Sequence, residues 1–224
     1  MLKKTLMVSV VAATLHSGVA LAVDGLSANV GVVSDYYFRG VQQTASASAN
    51  GGVDYEHASG LSIGIWAADV EGQSPGPAAG IEIDTYASYA GEAGGIGYSV
   101  GYTHYGYTGT FDTSYDEVNL GASYGGFALD IASGSHEDPA AVLDDDYTFV
   151  SIGYGAGPLS VTYGAFGGDW GGAYLEVGLS TEIGGADAGI TVINGMPDDA
   201  FAGTGTNTTD GTALVFSISK SFDL

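Results

Sequence analysis

Between Tyr115 and Tyr124 every second residue is apolar. Val118, Leu120, Ala122 and Tyr124 alternate with Glu117, Asn119, Gly121 and Ser123. A period of two puts the first set on one face of a β-strand and the second set on the other. The same pattern recurs along the chain. Leu61, Ile63 and Ile65 alternate with Ser62 and Gly64, and Ile81, Ile83, Ala87 and Tyr89 with Glu82, Asp84 and Ser88. Ala173, Leu175, Val177 and Leu179 alternate with Tyr174, Glu176 and Gly178. Residues 26–39, 45–56, 96–106, 127–133, 147–154, 159–166, 187–194 and 212–224 follow suit. No helical stripe appears after residue 24. The reading is all-β, with about twelve strands of roughly ten residues each.

The connections sort by length. Short turns are expected at His57–Gly60, Gly91–Gly95, Gly125–Gly126, Gly155–Pro158 and Glu182–Ala186. Longer polar loops are expected at Glu71–Gly80, Tyr107–Ser114, Gly134–Asp146, Gly167–Gly172 and Gly195–Gly211, with Gly40–Thr44 the one short member on that side. An even strand number with tight turns at one end and long loops at the other predicts a single closed antiparallel transmembrane β-barrel. A soluble β-sandwich would also alternate. It would not need aromatics gathered at one height, nor carboxylates in strand interiors without matching cations. A calcium-binding β-helix needs a tandem nine-residue repeat, which Gly184-Gly185-Ala186-Asp187 does not begin.

On the apolar parity, Tyr55, Tyr89, Tyr98, Tyr124, Phe127, Tyr154 and Phe222 fall beside a short turn or the C-terminus. Such rings suit a membrane–water interface, so these seven are expected to form a girdle. A sparser set, Tyr36, Phe38, Tyr102 and Tyr163, falls near the long loops. Lys220 sits where its stem can reach the headgroups.

Met1–Ala22 has two lysines, an apolar run from Leu6 to Leu15 and a small-residue end at Ala20-Leu21-Ala22. This is the three-part secretory signal, and cleavage after Ala22 would leave residues 23–224 as the barrel. Within 23–224 only Arg39 and Lys220 are cationic, against all 26 acids of the chain, and there is no Cys. Two cations cannot make a phosphate-binding face, so no nucleic acid is expected as partner. Without Cys there is no disulfide framework and no thiolate metal site. The expected partners are outer-membrane lipid, lipopolysaccharide and the barrel-assembly machinery, the last through the alternating C-terminal strand that ends Phe222-Asp223-Leu224. That strand must pair with the first, because unpaired backbone cannot face lipid. Both termini would then be periplasmic, in the outer membrane of a Gram-negative bacterium.

The run Ser34-Asp35-Tyr36-Tyr37-Phe38-Arg39-Gly40-Val41-Gln42-Gln43-Thr44 resembles the opening of the TorF family of porin-like proteobacterial outer-membrane proteins. Further matches are Gly51-Gly52-Val53-Asp54-Tyr55, Trp66-Ala67, Glu82-Ile83-Asp84 and Gly91-Glu92-Ala93-Gly94-Gly95 followed by Gly97-Tyr98. The resemblance is strongest over 28–124 and weaker after 125. It implies a barrel and a porin-like role, and it brings no substrate or site residue with it.

With the apolar parity facing lipid, the opposite parity lines a lumen with Asp54, Glu56, Glu82, Asp84, Glu117, Asp130, Glu176 and Asp187, and with Arg39 as its single cation. Carboxylate rings favour cations. The expectation is a channel for passive diffusion of small polar, cationic or zwitterionic solutes. Its alternative is a non-conducting surface barrel for structure, adhesion or cation capture, which a lumen plugged by Gly195–Gly211 would favour. Twelve strands leave a small lumen that side chains or an infolded loop can close. Arg39 fits two roles: a strut paired to Asp35, Asp54 or Glu56, or one pole of a transverse field. His136, Glu137, Asp138 and Asp144-Asp145-Asp146 join Glu71, Asp198 and Asp199 in an acidic outer mouth. That mouth has no Asp-x-Asp-x-Asp-Gly spacing, so solvated loops and divalent-cation capture both remain open. No enzyme is expected. His57 lies in a short turn, His104 on the lipid parity and His136 in a loop beside Ser135, an arrangement that makes no nucleophile–base pair. No cofactor is expected either: Gly153-x-Gly155-x-Gly157 is a turn with no helix after it.

Overall fold

A computed structural model describes residues 24–71, 79–137, 145–197 and 208–224. The leader lies outside these residues. Twelve strands close into one antiparallel barrel: β1 (Leu26–Val33), β4 (Ser48–Glu56), β5 (Leu61–Glu71), β6 (Ala79–Ala93), β7 (Ile96–Tyr107), β8 (Tyr115–Tyr124), β9 (Phe127–His136), β10 (Asp145–Ala156), β11 (Leu159–Gly168), β12 (Ala173–Ile183), β13 (Ala186–Met196) and β14 (Gly211–Asp223). Each pairs with its sequence neighbour, and β1 closes the ring by pairing with both β14 and β4. The fold class and strand number read from the alternation are therefore correct. Closure leaves no free sheet edge.

The two ends differ as the turn residues require. Gly184-Gly185 joins β12 to β13 with φ of +63° and +78°, the pair of left-handed residues that a two-residue hairpin needs to match strand twist. The other four short turns and the two described chain ends share that rim. The longer connections share the opposite rim.

The apolar parity faces outward. Val30, Ile63, Val100, Val118, Leu120, Ile131, Ile152, Leu179, Ile190 and Phe216 are all exposed on the outer wall, from every side of the ring. A water-soluble barrel would not present such a band, whereas a hydrocarbon layer requires it. The seven aromatics named for the girdle lie on this outer face, Tyr55 half-buried and the rest exposed. Phe127 and Tyr154 touch at 4.7 Å, and the Lys220 ammonium lies 5.7 Å from the Phe222 ring.

One expected strand is corrected. The run 26–39 is not continuous: β1 ends at Val33, and residues 34–47 fold into the barrel as a hairpin of β2 (Tyr37–Phe38) and β3 (Val41–Gln42). The turn between them is Arg39-Gly40, with φ of +50° and +78°. Arg39 is the only non-glycine residue with positive φ among the described residues. Gly40–Thr44 is thus the far half of an infolded hairpin and not a short surface loop. Tyr36 and Phe38 leave the outer aromatic set for the same reason. Tyr36 packs edge-on against Trp66 at 5.7 Å, and Phe38 against Tyr105 at 5.5 Å, both inside the barrel. Tyr102 and Tyr163 remain outside.

The hairpin sits in a core that fills the long-loop half of the lumen. On one side lie Ala132, Tyr147, Phe149, Phe166, Tyr174, Ile193 and Val215, against which Tyr37 and Val41 pack. On the other lie Trp66, Ala68 and Val70 with Tyr36, joined by Phe38. Inward glycines make room for these rings. A Cβ on Gly134 would come within 2.3 Å of Tyr147, and one on Gly164 within 2.5 Å of Tyr174.

The outward band predicts a depth-dependent penalty for charge. Leu120→Arg, at mid-strand, is expected to cost about 2–4 kcal/mol of folding free energy in lipid vesicles, and Tyr124→Arg, at the rim, about 0–1 kcal/mol. Denaturant titration of both variants in the same vesicles checks this, and equal costs would contradict the outward assignment.

Candidate functional site

The hairpin carries its one cation to the far wall. At the tip, Arg39 meets Glu117 of β8 in a two-pronged ion pair, with N–O distances of 2.5 and 3.0 Å. Its guanidinium lies between two rings, 4.7 Å from Phe38 and 4.3 Å from Phe149. Glu117 also accepts hydrogen bonds from Tyr147 at 2.8 Å and Tyr105 at 3.1 Å. The Glu117 side chain is fully buried, and that of Arg39 is 12% exposed. Burial opposes the charged guanidinium, but the Glu117 carboxylate outweighs it, so the Arg39 pKa lies above even the usual arginine value. A planar fork facing a carboxylate is the geometry for which arginine differs from lysine.

The rest of the Ser34–Thr44 run builds this device. Ser34 exchanges bonds with the Phe216 backbone, donating its amide at 2.8 Å and accepting at Oγ at 3.0 Å. Thr44 Oγ1 accepts from the Tyr36 amide at 2.9 Å and donates to the Ser46 carbonyl at 2.7 Å, closing the hairpin base. Gly40 has no alternative, because a Cβ there would lie 2.6 Å from the Tyr174 Cβ. Its carbonyl accepts from the Thr209 amide at 2.9 Å, and the Gln42 amide donates to Thr209 Oγ1 at 2.9 Å. The connection before β14 is therefore tied to the hairpin. Residues 198–207 of that connection lie outside the described residues, so the plug named in the sequence as Gly195–Gly211 is described only at its ends. The plug that the structure contains is 34–47.

The expected partners of Arg39 are thereby corrected. Asp35, Asp54 and Glu56 flank the strands nearest in sequence, but Arg39 stands on a hairpin tip and not on the wall. It crosses the lumen and pairs with Glu117.

The inward acids fall into two groups. Glu82 and Asp84 of β6 are buried at 2% and 4% exposure, and with Glu117 they lie beneath the hairpin. Tyr36 donates to Glu82 at 2.8 Å. Asp54, Asp130, Glu176 and Asp187 are half-buried toward the short-turn half. There Tyr86 donates to Asp54, Asn29 to Asp54 at 3.5 Å and Ser151 to Asp130 at 3.5 Å, and the hydroxyls of Ser62 and Ser88 meet at 2.6 Å. Glu56 is exposed at the strand end.

At the outer mouth, His136 contacts Asp112 at 3.2 Å and Thr113 Oγ1 at 2.7 Å and stacks on Tyr115 at 4.2 Å. Asp145 lies 4.0 Å from its other nitrogen. Burial opposes the Asp112 carboxylate, but bonds from His136, Tyr115 and the Thr113 amide hold its pKa below the usual value. Ser114 donates to Glu137 at 2.9 Å. Asp138, Asp144, Asp198 and Asp199 lie outside the described residues. Among the described residues no group of three His or carboxylate side chains is set to hold a metal ion. His57 contacts Ser59 at 2.8 Å in its turn, and His104 contacts Asp116 at 2.8 Å on the outer wall.

Sequence reasoning missed the inward aromatics that hold the hairpin: Phe149, Tyr105 and Tyr147 around the tip, and Trp66 against Tyr36. The available signal was a change of habit along the polar parity. Trp66, Ala68 and Val70 continue the inward face begun by Ser62 and Gly64, and Tyr147 and Phe149 continue that of Ser151 and Gly153.

The profile of a family described as a bacterial protein of unknown function, Gcw_chp, matches residues 18–216. The sequence matches no curated protein. Among solved structures, one from work on in-meso crystallisation of membrane proteins aligns with a TM-score of 0.51 at 10% identity, covering 88% of this chain and 84% of that one. Outer membrane phospholipase A from Escherichia coli aligns with a TM-score of 0.49 at 11% identity, covering 87% and 91%. Pseudomonas aeruginosa OccK2 (OpdF) aligns with a TM-score of 0.43 at 12% identity, covering 92% and 69%. The first of these is a likeness of fold, and no chemistry is taken from any of the three.

Removing one partner of a buried ion pair leaves the other charge without compensation. Glu117→Gln is therefore expected to weaken hairpin seating by about 3–5 kcal/mol. Trypsin reads this directly, because Arg39 and Lys220 are the only Lys or Arg after residue 22. Cleavage after Arg39 should be about a hundredfold to a few thousandfold faster in the variant, and an unchanged rate would contradict the latch.

Proposed function

This chain belongs to the Gcw_chp family of bacterial proteins, and we propose that it is an outer-membrane channel that its own first loop holds closed. The observation that carries this reading is the Arg39–Glu117 pair, which pins a hairpin across a lumen whose other inward charges are acids. In this reading the hairpin moves between a seated and a released position, as order–disorder switch segments do. In the seated position the anchor consumes the one luminal cation. The remaining inward charges are carboxylates, so the released channel would favour small cationic or zwitterionic solutes and repel anions.

The outward apolar band and the aromatic rim support residence in the outer membrane of a Gram-negative bacterium, with lipid and lipopolysaccharide as surroundings. Removal of Met1–Ala22 on export, periplasmic termini and recognition of the C-terminal strand by the barrel-assembly machinery belong to the same proposal. The second reading is a permanently closed surface barrel. What favours it is the aromatic packing on both sides of the hairpin, which the ion pair alone does not need.

Planar-bilayer recording separates the two. Wild-type protein should show rare, brief openings. Replacing residues 35–46 by a short Gly-Ser linker should give sustained, cation-preferring conductance. A linker variant that is folded, as judged by heat-modifiable migration, yet silent would establish the closed-barrel reading. Anion preference would overturn the proposed selectivity.

A further inference from the structure

Beneath the hairpin, Glu82 and Asp84 project from the same face of β6, two residues apart. They are flanked by Trp66 and Ala68 of β5 and by Tyr105 and Tyr107 of β7, their cross-strand partners, and capped by Tyr36 of the hairpin. Both carboxyl groups are buried, Glu82 at 2% and Asp84 at 4% exposure, with no cation of their own among the described residues. Two like charges this close in a buried site disfavour each other, and a proton on one of them relieves the pair. Asp84 Oδ1 has no partner among the described residues although Asp84 is only 4% exposed. A bare buried carboxylate oxygen is costly unless the group is neutral or compensated. The nearest guanidinium, Arg39, is committed to Glu117, so three buried carboxyls share one cation.

We propose that Glu82 and Asp84 hold one shared proton that keeps the hairpin seated, so that the pair couples proton binding to release of the plug. The proposal rests on the hairpin being releasable, the reading given above. The groups facing the pair are Tyr36 from the hairpin, Tyr86 from β6 itself, Tyr105 and Tyr107 from β7, Tyr115 and Glu117 from β8, Asp112 from the β7–β8 loop and Arg39 at the tip. β5 contributes no titratable group at this level. The tyrosines do not titrate in the neutral range, and Glu117 is held by Arg39 in the two-pronged pair. The shared proton is therefore what changes.

Linkage fixes the sign. In the seated state the pair binds one proton. When the hairpin leaves, water reaches both carboxyls, and both ionise at neutral pH as exposed acids do. The released state binds one proton fewer, so it gains about tenfold in population for each unit that pH rises, until the seated pair also loses its proton. Acid should tighten the seat and alkali should loosen it.

Trypsin tests this on the unaltered mature chain, folded in lipid vesicles. Cleavage after Arg39 is measured between about pH 7 and about pH 9, below the ordinary tyrosine range, and divided by the rate on a short Arg peptide at each pH. The normalised rate should rise at least tenfold across that range. In Asp84→Asn, where a neutral amide replaces one of the two carboxyls, it should change less than twofold. A flat wild-type profile, or an Asp84→Asn profile as steep as wild type, would overturn the proposal. A second readout guards against a misfolded variant. In Trp170→Phe the only tryptophan is Trp66, which touches Tyr36. Its quenching by acrylamide should follow the same pH course in the parent and stay level when Asp84→Asn is added. Neither readout uses current: a silent barrel with pH-dependent cleavage would defeat the channel reading and leave this one standing.

Discussion

A guanidinium and a carboxylate, meeting across a lumen from which water is largely excluded, organise the interior of this barrel. The Arg39–Glu117 pair is exacting because both members are buried, so either one left alone would be an uncompensated charge. Around it the molecule arranges what such a pair requires. Tyr105 and Tyr147 fill the remaining acceptor sites of Glu117, and Phe38 and Phe149 sandwich the guanidinium. Even the backbone conforms: Arg39 occupies a left-handed φ that costs a non-glycine residue about 1–2 kcal/mol. Strain of this kind persists only where its surroundings over-determine it, and here the ion pair does so.

This placement divides the barrel into halves of different chemistry. The long-loop half has an interior like that of a soluble protein, aromatic and packed. The short-turn half is lined by Asp54, Asp130, Glu176 and Asp187 with Ser and Gly, and remains polar. Sixteen-strand porins leave an aqueous channel, and a twelve-strand barrel encloses a narrower lumen. In a lumen this narrow an infolded hairpin becomes the core, and its attachment sets what the barrel can pass. The inward acids then have two addresses, a buried set under the plug and a half-buried set below it.

The barrel was legible because lipid on one side and protein or water on the other impose a period of two that no strand escapes. Leu120 and Ile63 could be assigned outward, and Gly184-Gly185 recognised as a turn, without coordinates. The hairpin was not legible by the same rule. Tyr36 and Phe38 continue the alternation of β1 and mimic an outward face, and nothing in the spelling of Arg39 announces a left-handed turn. The inward aromatics were hidden by the assumption that a lumen is polar throughout, which Phe149, Ile193 and Val215 contradict. The Ser34–Thr44 run stood out as a motif, but its meaning is three-dimensional: each of Ser34, Tyr36, Phe38, Arg39, Gly40 and Thr44 holds the plug in place.

The most direct measurement is a double-mutant cycle on the anchor, read by hydrogen exchange of residues 34–47 in lipid vesicles. Wild type, Arg39→Gln, Glu117→Gln and the double variant complete the square. If the pair seats the plug, the double variant loses little more protection than either single one, with a coupling of about 1.5 kcal/mol or more. Losses that simply add would show that the hairpin is held by its aromatic packing and that the ion pair is incidental.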